Sequence, residues 1–260
     1  MASANVPFRN IVEAYGRIKP FVHQTPVFTS ASFNQIASKK AAIPNIELFF
    51  KCENFQKTGA FKARGATNAV FLAKETNVSL KGVVTHSSGN HGQAIAYACS
   101  KDVGNVPCTV VVPKDTPKIK CEAIRGYGAD LVFCESTPTS RKETCAKISE
   151  EKGYEIIHPY DNYNVIAGQA TIAYEMMKEQ NFKDLDAILV PISGGGMCSG
   201  IALSAKEINP QTKIIAVEPK GKDLGESLKA KERLWKNPPQ FIDTIAEGIK
   251  TQQVINVFTT

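Results

Sequence analysis

Strand-length apolar segments alternate with helix-like segments along most of this chain of 260 residues. The strand-like segments include GVVT at 82–85, CTVVV at 108–112 and AILVPI at 187–192, and each is followed by a stretch with the composition of a helix. Strands that are apolar on both faces are typical of parallel sheets, because helices cover a parallel sheet on each side. The pattern therefore predicts an α/β protein built on parallel strands.

Three further segments are less regular. Residues 46–51 (IELFFK) are expected to form a buried strand, and residues 165–180 a long helix. The chain from residue 221 onward is polar, contains Pro238-Pro239 and offers no clear closing element.

Composition excludes several classes of protein. Hydrophobic residues make up 43% and charged residues 22%, as in ordinary globular proteins. The net charge is +6, but the basic residues are scattered among acidic ones and form no stripe interleaved with aromatic residues. We therefore expect no nucleic-acid partner. No apolar run approaches the roughly 20 residues of a membrane span, so no membrane is expected either.

The cysteines and the N-terminus favour a cytoplasmic location. The seven cysteines form no CxxC pair and no Cys/His metal spacing, which indicates reduced, packed thiols. The first residues, MASANVPFRN, lack a charged segment followed by an apolar core, so no signal peptide is predicted.

The first segment with potential chemistry is QKTGAFKARG at 56–65. Lys62 follows a glycine-containing turn at the start of a predicted helix, where the helix dipole disfavours a protonated amine and favours a nucleophilic one. From the residues alone, a solvated surface lysine remains the alternative.

Two further segments occur where predicted strands lead into helices. The first is SSGNHG at 87–92, whose backbone amides and hydroxyls suit an anion, although an N-cap turn is the alternative. The second is SGGGM at 193–197, whose glycines let the backbone approach a phosphate, although a flexible turn is the alternative. Neither a Walker A nor a GxGxxG pattern is present. Together the three segments predict a site for a phosphorylated cofactor beside a nucleophilic lysine.

The motifs KTGAFKARGA, SSGNHGQA, HPYD, VIAGQATIAYE and PISGGGM occur in this order and cover nearly the whole chain. In this set the chain resembles the serine racemase and serine/threonine dehydratase family of fold-type II pyridoxal-phosphate enzymes. The resemblance implies pyridoxal 5'-phosphate as cofactor, with Lys62 as the Schiff-base lysine that also acts as a base at the substrate Cα. It implies further cofactor contacts, which are Phe61, Asn90 at the ring hydroxyl, and the phosphate loop Ser193, Gly194, Gly195, Gly196 and Met197.

The same resemblance assigns the substrate contacts. Ser87, Ser88, Gly89, Asn90 and His91 match positions that bind the amino acid and its carboxylate. Ser88 matches the serine of racemases whose hydroxyl works on the face opposite the lysine, and two opposed groups are what racemisation of a planar carbanion needs. Capping of the helix is the alternative role for Ser88.

Some positions depart from the racemase pattern. Tyr160-Asp161 is closer to the dehydratases. Glu218 matches an acidic ligand of a structural Mg2+ or Ca2+, but Lys222 and Leu224 occupy the neighbouring ligand positions. An ATP effector site is matched at Gln93 and Tyr127, while Ala31 replaces a serine. The chain also ends before the family's C-terminal Ser-Gly-Gly-Asn turn, so we expect a truncated isoform, a fragment or a degenerate paralogue.

The resemblance implies a small α/β domain at 82–156, inserted into a large cofactor-binding domain made of 1–81 and 157–260, with the active site in the cleft between them. The leading hypothesis is a homodimeric serine racemase that converts L-serine to D-serine and also dehydrates L-serine and L-threonine. A dedicated L-serine/L-threonine ammonia-lyase and an inactive cofactor-binding paralogue are the alternatives.

Overall fold

A computed structural model describes residues 6–232, 234, 242–251 and 254 of the chain. The segments predicted from the sequence beyond these ranges, including Pro238-Pro239, lie outside the described residues. No helix in the described ranges is both long and apolar enough to cross a membrane.

Helices and strands alternate through the described part of the chain, as the apolar pattern predicts. The helices are α1 (Phe8–Ile18), α2 (Ala31–Ala41), α3 (Lys62–Thr76), α4 (Asn90–Cys99), α5 (Lys118–Arg125), α6 (Pro138–Lys152), α7 (Tyr163–Tyr174), α8 (Gly196–Ile208) and α9 (Leu224–Ala230). The strands are β1 (Val27–Thr29), β2 (Phe49–Lys51), β3 (Val83–His86), β4 (Cys108–Pro113), β5 (Asp130–Cys134), β6 (Glu155–Ile156), β7 (Ala187–Pro191) and β8 (Lys213–Val217).

Two parallel sheets confirm the predicted α/β class. The larger has the order β5-β4-β3-β6, with Val83 opposite Cys108 and also opposite Glu155. Strand β4 is buried along its whole length, which explains its uninterrupted apolar sequence. All four strands come from residues 83–156, the range predicted for the small domain, whose boundaries stay a prediction. The second sheet pairs β7 with β8 in parallel.

The prediction of a buried strand at 46–51 is wrong. The strand is limited to β2, whose Phe49 and Phe50 are exposed, and it pairs with β1 in an antiparallel ribbon. Aromatic residues favour strands whether or not a face of the strand is covered. The composition of this segment therefore predicts a strand but does not show whether that strand is buried. The neighbouring helix α2 has no buried residue, and it was not predicted.

The predicted helix at 165–180 changes geometry before its end. Regular α-helix stops at Tyr174, and the next five residues form a π-helical turn, Glu175–Glu179. Single π turns are rare and shift the direction of the side chains that follow. Here Glu175 is buried inside the fold, beside Arg64. Helix α9 lies in the polar segment from residue 221 onward, where no helix or strand was predicted.

Helix α7 packs unusually close to both of its neighbours, α3 and α8. A Cβ added at Gly168 of α7 would lie 2.6 Å from the Cα of Gly65 in α3. A Cβ added at Gly200 of α8 would lie 2.7 Å from the backbone oxygen of Ile166 in α7. Real Cβ atoms do not approach other atoms so closely, so these glycines are required for the packing of the three helices.

The glycine contact yields a stability prediction. Gly168→Ala should lower the free energy of unfolding by about 1–3 kcal/mol, because the added methyl group must push α3 away from α7. The measurement is urea denaturation followed by circular dichroism. Gly16→Ala is the matched control, since a Cβ at that position meets nothing within 4 Å and alanine favours a helix. Equal stability of the two variants would contradict the packing argument.

Candidate active site

Three helices begin at the candidate site, and each first turn carries one of the segments singled out from the sequence. Lys62 is the first residue of α3, Asn90 the first residue of α4, and Gly196 the first residue of α8. Helices α4 and α8 directly follow the carboxyl ends of β3 and β7, as predicted. The N-terminus of a helix attracts anions through its free amides and its dipole, so this region suits a negatively charged ligand.

Lys62 points into the protein. Its Nζ donates a hydrogen bond to the backbone carbonyl of Pro159 at 2.6 Å and lies 5.3 Å from the centre of the Phe61 ring. None of the ion pairs in the described part of the chain involves this amine. Burial lowers the pKa of Lys62 to about 8. The amine is therefore not solvated like that of a surface lysine, and its lowered pKa favours the unprotonated, nucleophilic form.

A buried charge network anchors the same turn of α3. Arg64, with no exposed surface, donates to Glu53 at 2.8 Å and to Glu175 at 2.9 Å. Lys51 donates to Glu175 as well, at 2.5 Å. Burial alone would raise the pKa of Glu175, but the hydrogen bonds and charges of Arg64 and Lys51 outweigh it and hold that pKa below its ordinary value. The two positive and two negative charges of the network compensate each other. The network therefore holds Arg64, and with it the start of α3, in place.

The segment 87–91 forms the turn between β3 and α4. The Oγ of Ser87 accepts a hydrogen bond from the amide of Gly89 at 3.3 Å, while Ser87, Ser88 and Gly89 are half-buried and Asn90 is exposed. Gly89 is the N-cap of α4, and no side chain caps this helix. Ser88 therefore does not cap α4, and the alternative role that the sequence left open for this residue is excluded.

His91 is buried directly behind this turn. Its Nε2 lies 3.4 Å from the carbonyl of Ile157, while its Nδ1 is buried and has no hydrogen-bond partner. Burial, and then the charge of Lys62, hold the pKa of His91 well below its ordinary value. The imidazole is therefore neutral, and its orphaned nitrogen is an acceptor. The Ile157 carbonyl that His91 faces lies two residues before Pro159, whose carbonyl binds Lys62.

The glycine loop connects β7 to α8. Gly195 has a φ of +98°, a left-handed conformation that glycine adopts without strain, and it is the N-cap of α8. A Cβ at Gly194 would lie 2.4 Å from the Tyr160 ring, and a Cβ at Gly196 would lie 2.9 Å from the Tyr160 carbonyl oxygen. Side chains are thus excluded at 194 and 196, and the bare backbone faces the HPYD segment.

The HPYD segment, residues 158–161, contacts both Lys62 and the glycine loop. Lys62 binds the carbonyl of Pro159, and the next residue, Tyr160, contacts Gly194 and Gly196. Phe61, Tyr160 and Met197 pack against one apolar cluster. A buried reactive amine, a side-chain-free loop at a helix N-terminus and an orphaned acceptor on His91 all fit a phosphorylated aldehyde cofactor.

Sequence reasoning missed the two histidines beside Tyr160. His158 accepts hydrogen bonds at Nδ1 from the amides of Tyr160 and Asp161, at 3.5 and 3.0 Å. Its ring stacks edge-on against Tyr160 and His86, with ring centres 4.7 and 5.4 Å apart. Burial, and then the charge of His86, lower the pKa of His158 to about 4. The HPYD motif was the available signal, but its histidine was not assigned a role.

The residues around Glu218 do not fit a divalent cation. The two carboxylate oxygens of Glu218 accept hydrogen bonds from the backbone amides of Leu224 and Gly225, at 3.0 and 3.1 Å. The searched part of the chain contains no group of three His, Cys, Asp or Glu residues that could hold a metal. Instead, the buried ammonium of Lys222 donates to the Ser193 carbonyl at 2.6 Å.

The residues predicted for a nucleotide effector belong to separate elements of the fold. Gln93 is half-buried in α4, and Tyr127 follows α5 with its ring 5.7 Å from that of Tyr97. Ala31 is the first residue of α2. No hydrogen bond joins these three side chains in the ranges that the structure covers.

Comparison with known proteins agrees with this geometry. The profile of the family described as "Pyridoxal-phosphate dependent enzyme" matches residues 18–259. Serine racemase of Dictyostelium discoideum is 45% identical over 248 residues, which is 95% of this chain and 73% of that protein.

Solved structures give the same result. The crystal structure of the Dictyostelium serine racemase superposes with a TM-score of 0.85, covering 97% of this chain and 76% of that one. A pyridoxal 5'-phosphate-dependent aspartate racemase is 50% identical, with a TM-score of 0.91, over 100% of this chain and 77% of that one. A threonine deaminase from T.th. is 35% identical, with a TM-score of 0.84, over 96% of this chain and 77% of that one.

The fold and the site define a fold-type II pyridoxal-phosphate enzyme. Within that class, the chain belongs to the serine racemase and serine/threonine dehydratase family.

The lowered pKa of Lys62 leads to a pH prediction. With a pKa of about 8, about one amine in ten is unprotonated at pH 7, against about one in three thousand for an ordinary lysine. Only the unprotonated amine attacks an aldehyde, so labelling of Lys62 by pyridoxal and borohydride should rise up to about pH 8 to 9 and then level off. Peptide mass spectrometry measures the label, and the lysine of a short unstructured peptide added to the reaction is the control, whose labelling should keep rising to about pH 10. Parallel curves for the two lysines would contradict the assignment.

Proposed function

We propose that the chain is a pyridoxal-phosphate-dependent serine racemase that also dehydrates L-serine and L-threonine. The observation that carries the proposal is the buried Lys62 amine, which is linked through Pro159 and Tyr160 to a glycine loop at a helix N-terminus. The family to which the chain belongs supports amino acids as substrates.

The proposed cofactor contacts come from all three helix starts. Lys62 and Phe61 would hold the aldehyde end, Asn90 the ring hydroxyl, and the backbone amides of the loop would bind the phosphate. That loop comprises Ser193, Gly194, Gly195, Gly196 and Met197. When bound, pyridoxal phosphate supplies an electron sink that stabilises negative charge at the Cα of an amino acid.

The proposed substrate contacts lie in the turn before α4. The amides of residues 87–91 lie at the N-terminal, positive end of α4 and would bind the substrate carboxylate. His91 adds a buried acceptor nitrogen behind this turn, which suits a donor group of the substrate or the cofactor. The carboxylate would thereby be fixed, and with it the orientation of the Cα–H bond.

Two groups would move the proton at Cα. Lys62 takes the proton from one face, and its pKa of about 8 lets the amine serve as a base near neutral pH. Ser88 gives a proton to the opposite face, and its hydroxyl is not engaged as a helix cap. Loss of the substrate hydroxyl as water, in place of reprotonation, leads to dehydration.

A product assay tests the function directly. Wild-type protein with pyridoxal phosphate and L-serine should form both D-serine, measured by chiral chromatography, and pyruvate, measured with lactate dehydrogenase. Lys62→Ala is the control that should abolish both products and the visible absorbance of lysine-bound pyridoxal.

The same assay separates the alternatives. Pyruvate without D-serine would identify a dedicated ammonia-lyase, which the Tyr160-Asp161 pair favours. Protein that shows the absorbance of lysine-bound pyridoxal but forms neither product would identify the inactive cofactor-binding paralogue.

Ser88→Ala should separate the two activities. The variant removes the proton donor on one face only, so D-serine formation should fall by about 100-fold or more, the contribution of one general acid–base group. Pyruvate formation from L-serine should stay within a fewfold of the wild type, because elimination uses the Lys62 face. Ser79→Ala, at an exposed serine outside the site, serves as the matched control, and an equal loss of both products in Ser88→Ala would contradict the assignment.

One observation favours L-aspartate as a second candidate substrate. The Nε of Arg141 is buried without a hydrogen-bond partner, and its charge acts on His86, which stacks against His158 beside Tyr160. A free guanidinium nitrogen in this place suits a second carboxylate, and the aspartate racemase structure is 50% identical. L-Aspartate therefore belongs in the product assay, with D-aspartate as the measured product.

Several finer features remain proposals from the family resemblance. These are the domain division at 82–156, a homodimer, ATP as an effector near Gln93 and Tyr127, and a cytoplasmic location. The four-stranded sheet drawn from residues 83–156 supports the domain division.

A further inference from the structure

A second buried lysine lies beside the glycine loop. Lys222, in the turn between β8 and α9, is 3% exposed. Its Nζ donates hydrogen bonds to the backbone carbonyls of Ser193, at 2.6 Å, and of Thr251. Within the described ranges no ion pair to Lys222 is found. A buried ammonium whose hydrogen bonds all go to carbonyl groups is costly even with the charge of Glu218 nearby, so this arrangement calls for a functional explanation.

The bond to Ser193 fixes an element of the phosphate loop. The carbonyl of Ser193 and the amide N–H of Gly194 belong to one planar trans peptide group, so they point in opposite directions. When Lys222 holds the carbonyl on one side, the N–H is held on the other. A cation at the carbonyl oxygen also polarises the peptide group, which makes the N–H a stronger hydrogen-bond donor.

The same ammonium lies where a divalent cation was expected from the sequence. That expectation rested on Glu218, but its oxygens are already bound to the amides of Leu224 and Gly225. Lys222 instead brings a positive charge from within the chain to this end of the second sheet. One covalently attached cation thus bridges the turn after β8, the glycine loop and residue 251.

We propose that Lys222 is a positioning residue, a built-in cation that orients the Ser193–Gly194 peptide for phosphate binding and makes cofactor binding independent of divalent metals. The inference rests on the proposed function only in taking pyridoxal phosphate as the ligand. It adds a specific role for a side chain that touches neither substrate nor the reacting atoms.

The test compares two ligands that differ only in the phosphate. Lys222→Met keeps the apolar stem and removes the charge, so the Kd of the apoprotein for pyridoxal phosphate should rise by about tenfold or more, the effect of one hydrogen bond to a charged group. The Kd for pyridoxal, which lacks the phosphate, should change by less than about twofold on the same scale. Lys220→Met, at an exposed lysine two positions away, should change neither value. Equal weakening of both ligands in Lys222→Met would overturn the proposal, since it would indicate general damage to the pocket.

Wild-type protein provides an arm that does not depend on the folding of any variant. Its Kd for pyridoxal phosphate should be the same in EDTA and in saturating Mg2+ or Ca2+. Cofactor binding that tightens by about tenfold with either metal would overturn the proposal. Both arms measure binding rather than turnover, so protein that binds the cofactor but forms no D-serine or pyruvate would refute the proposed function alone.

Discussion

The close packing of α7 between α3 and α8 is the constraint on which the site depends. Helix α3 carries Lys62 at its start, α8 carries the glycine loop at its start, and α7 contacts both through Gly65, Gly168 and Gly200. Helices that approach so closely have little freedom to slide, because backbone meets backbone without intervening side chains. The separation between amine and loop is therefore set by glycines that lie outside the site.

Two kinds of buried charge serve different purposes in this fold. Arg64 is paired with Glu53 and Glu175, and the cations beside Glu175 hold the pKa of that carboxyl below its ordinary value. Such a network is weak evidence for stability, but it fixes the geometry of the groups that it joins. Lys62 stands two residues away without a carboxylate partner, and burial lowers its pKa to about 8. Within one helical turn, the paired cation Arg64 thus anchors the structure, and the unpaired Lys62 is the candidate for reactivity.

The parts of the fold that follow from local pattern were predictable from the sequence. The segments 56–65, 87–92 and 193–197 each lead into a helix as predicted, namely α3, α4 and α8. The role of Glu175 was not predictable, because its partners Arg64 and Lys51 are 111 and 124 positions away in the sequence. The exposure of β2 could not be predicted either, because aromatic residues favour a strand whether its face is covered or open.

Candidate site residues were predictable where the motif is contiguous, and they were missed where the contact is tertiary. The segment 193–197 stands out by its three glycines, but nothing in the sequence indicates that the Ser193 carbonyl binds Lys222. Likewise, the HPYD motif gives no sign that the Tyr160 ring fills the space above Gly194. Side-chain burial and backbone direction decide these contacts, and both are properties of the folded chain.

The electrostatics of the site explain why the lysine and the phosphate loop begin different helices. An anion next to Lys62 would favour the protonated amine and raise its pKa, which would reduce the nucleophile near neutral pH. In the structure the glycine loop offers the anion its own helix N-terminus at α8, while Lys62 faces the Pro159 carbonyl. The surrounding imidazoles of His91 and His158 are held neutral by burial, so they add neither an attracting nor a repelling charge. This arrangement suits a dianionic group held by backbone dipoles, and desolvation is the cause of the lowered pKa of Lys62.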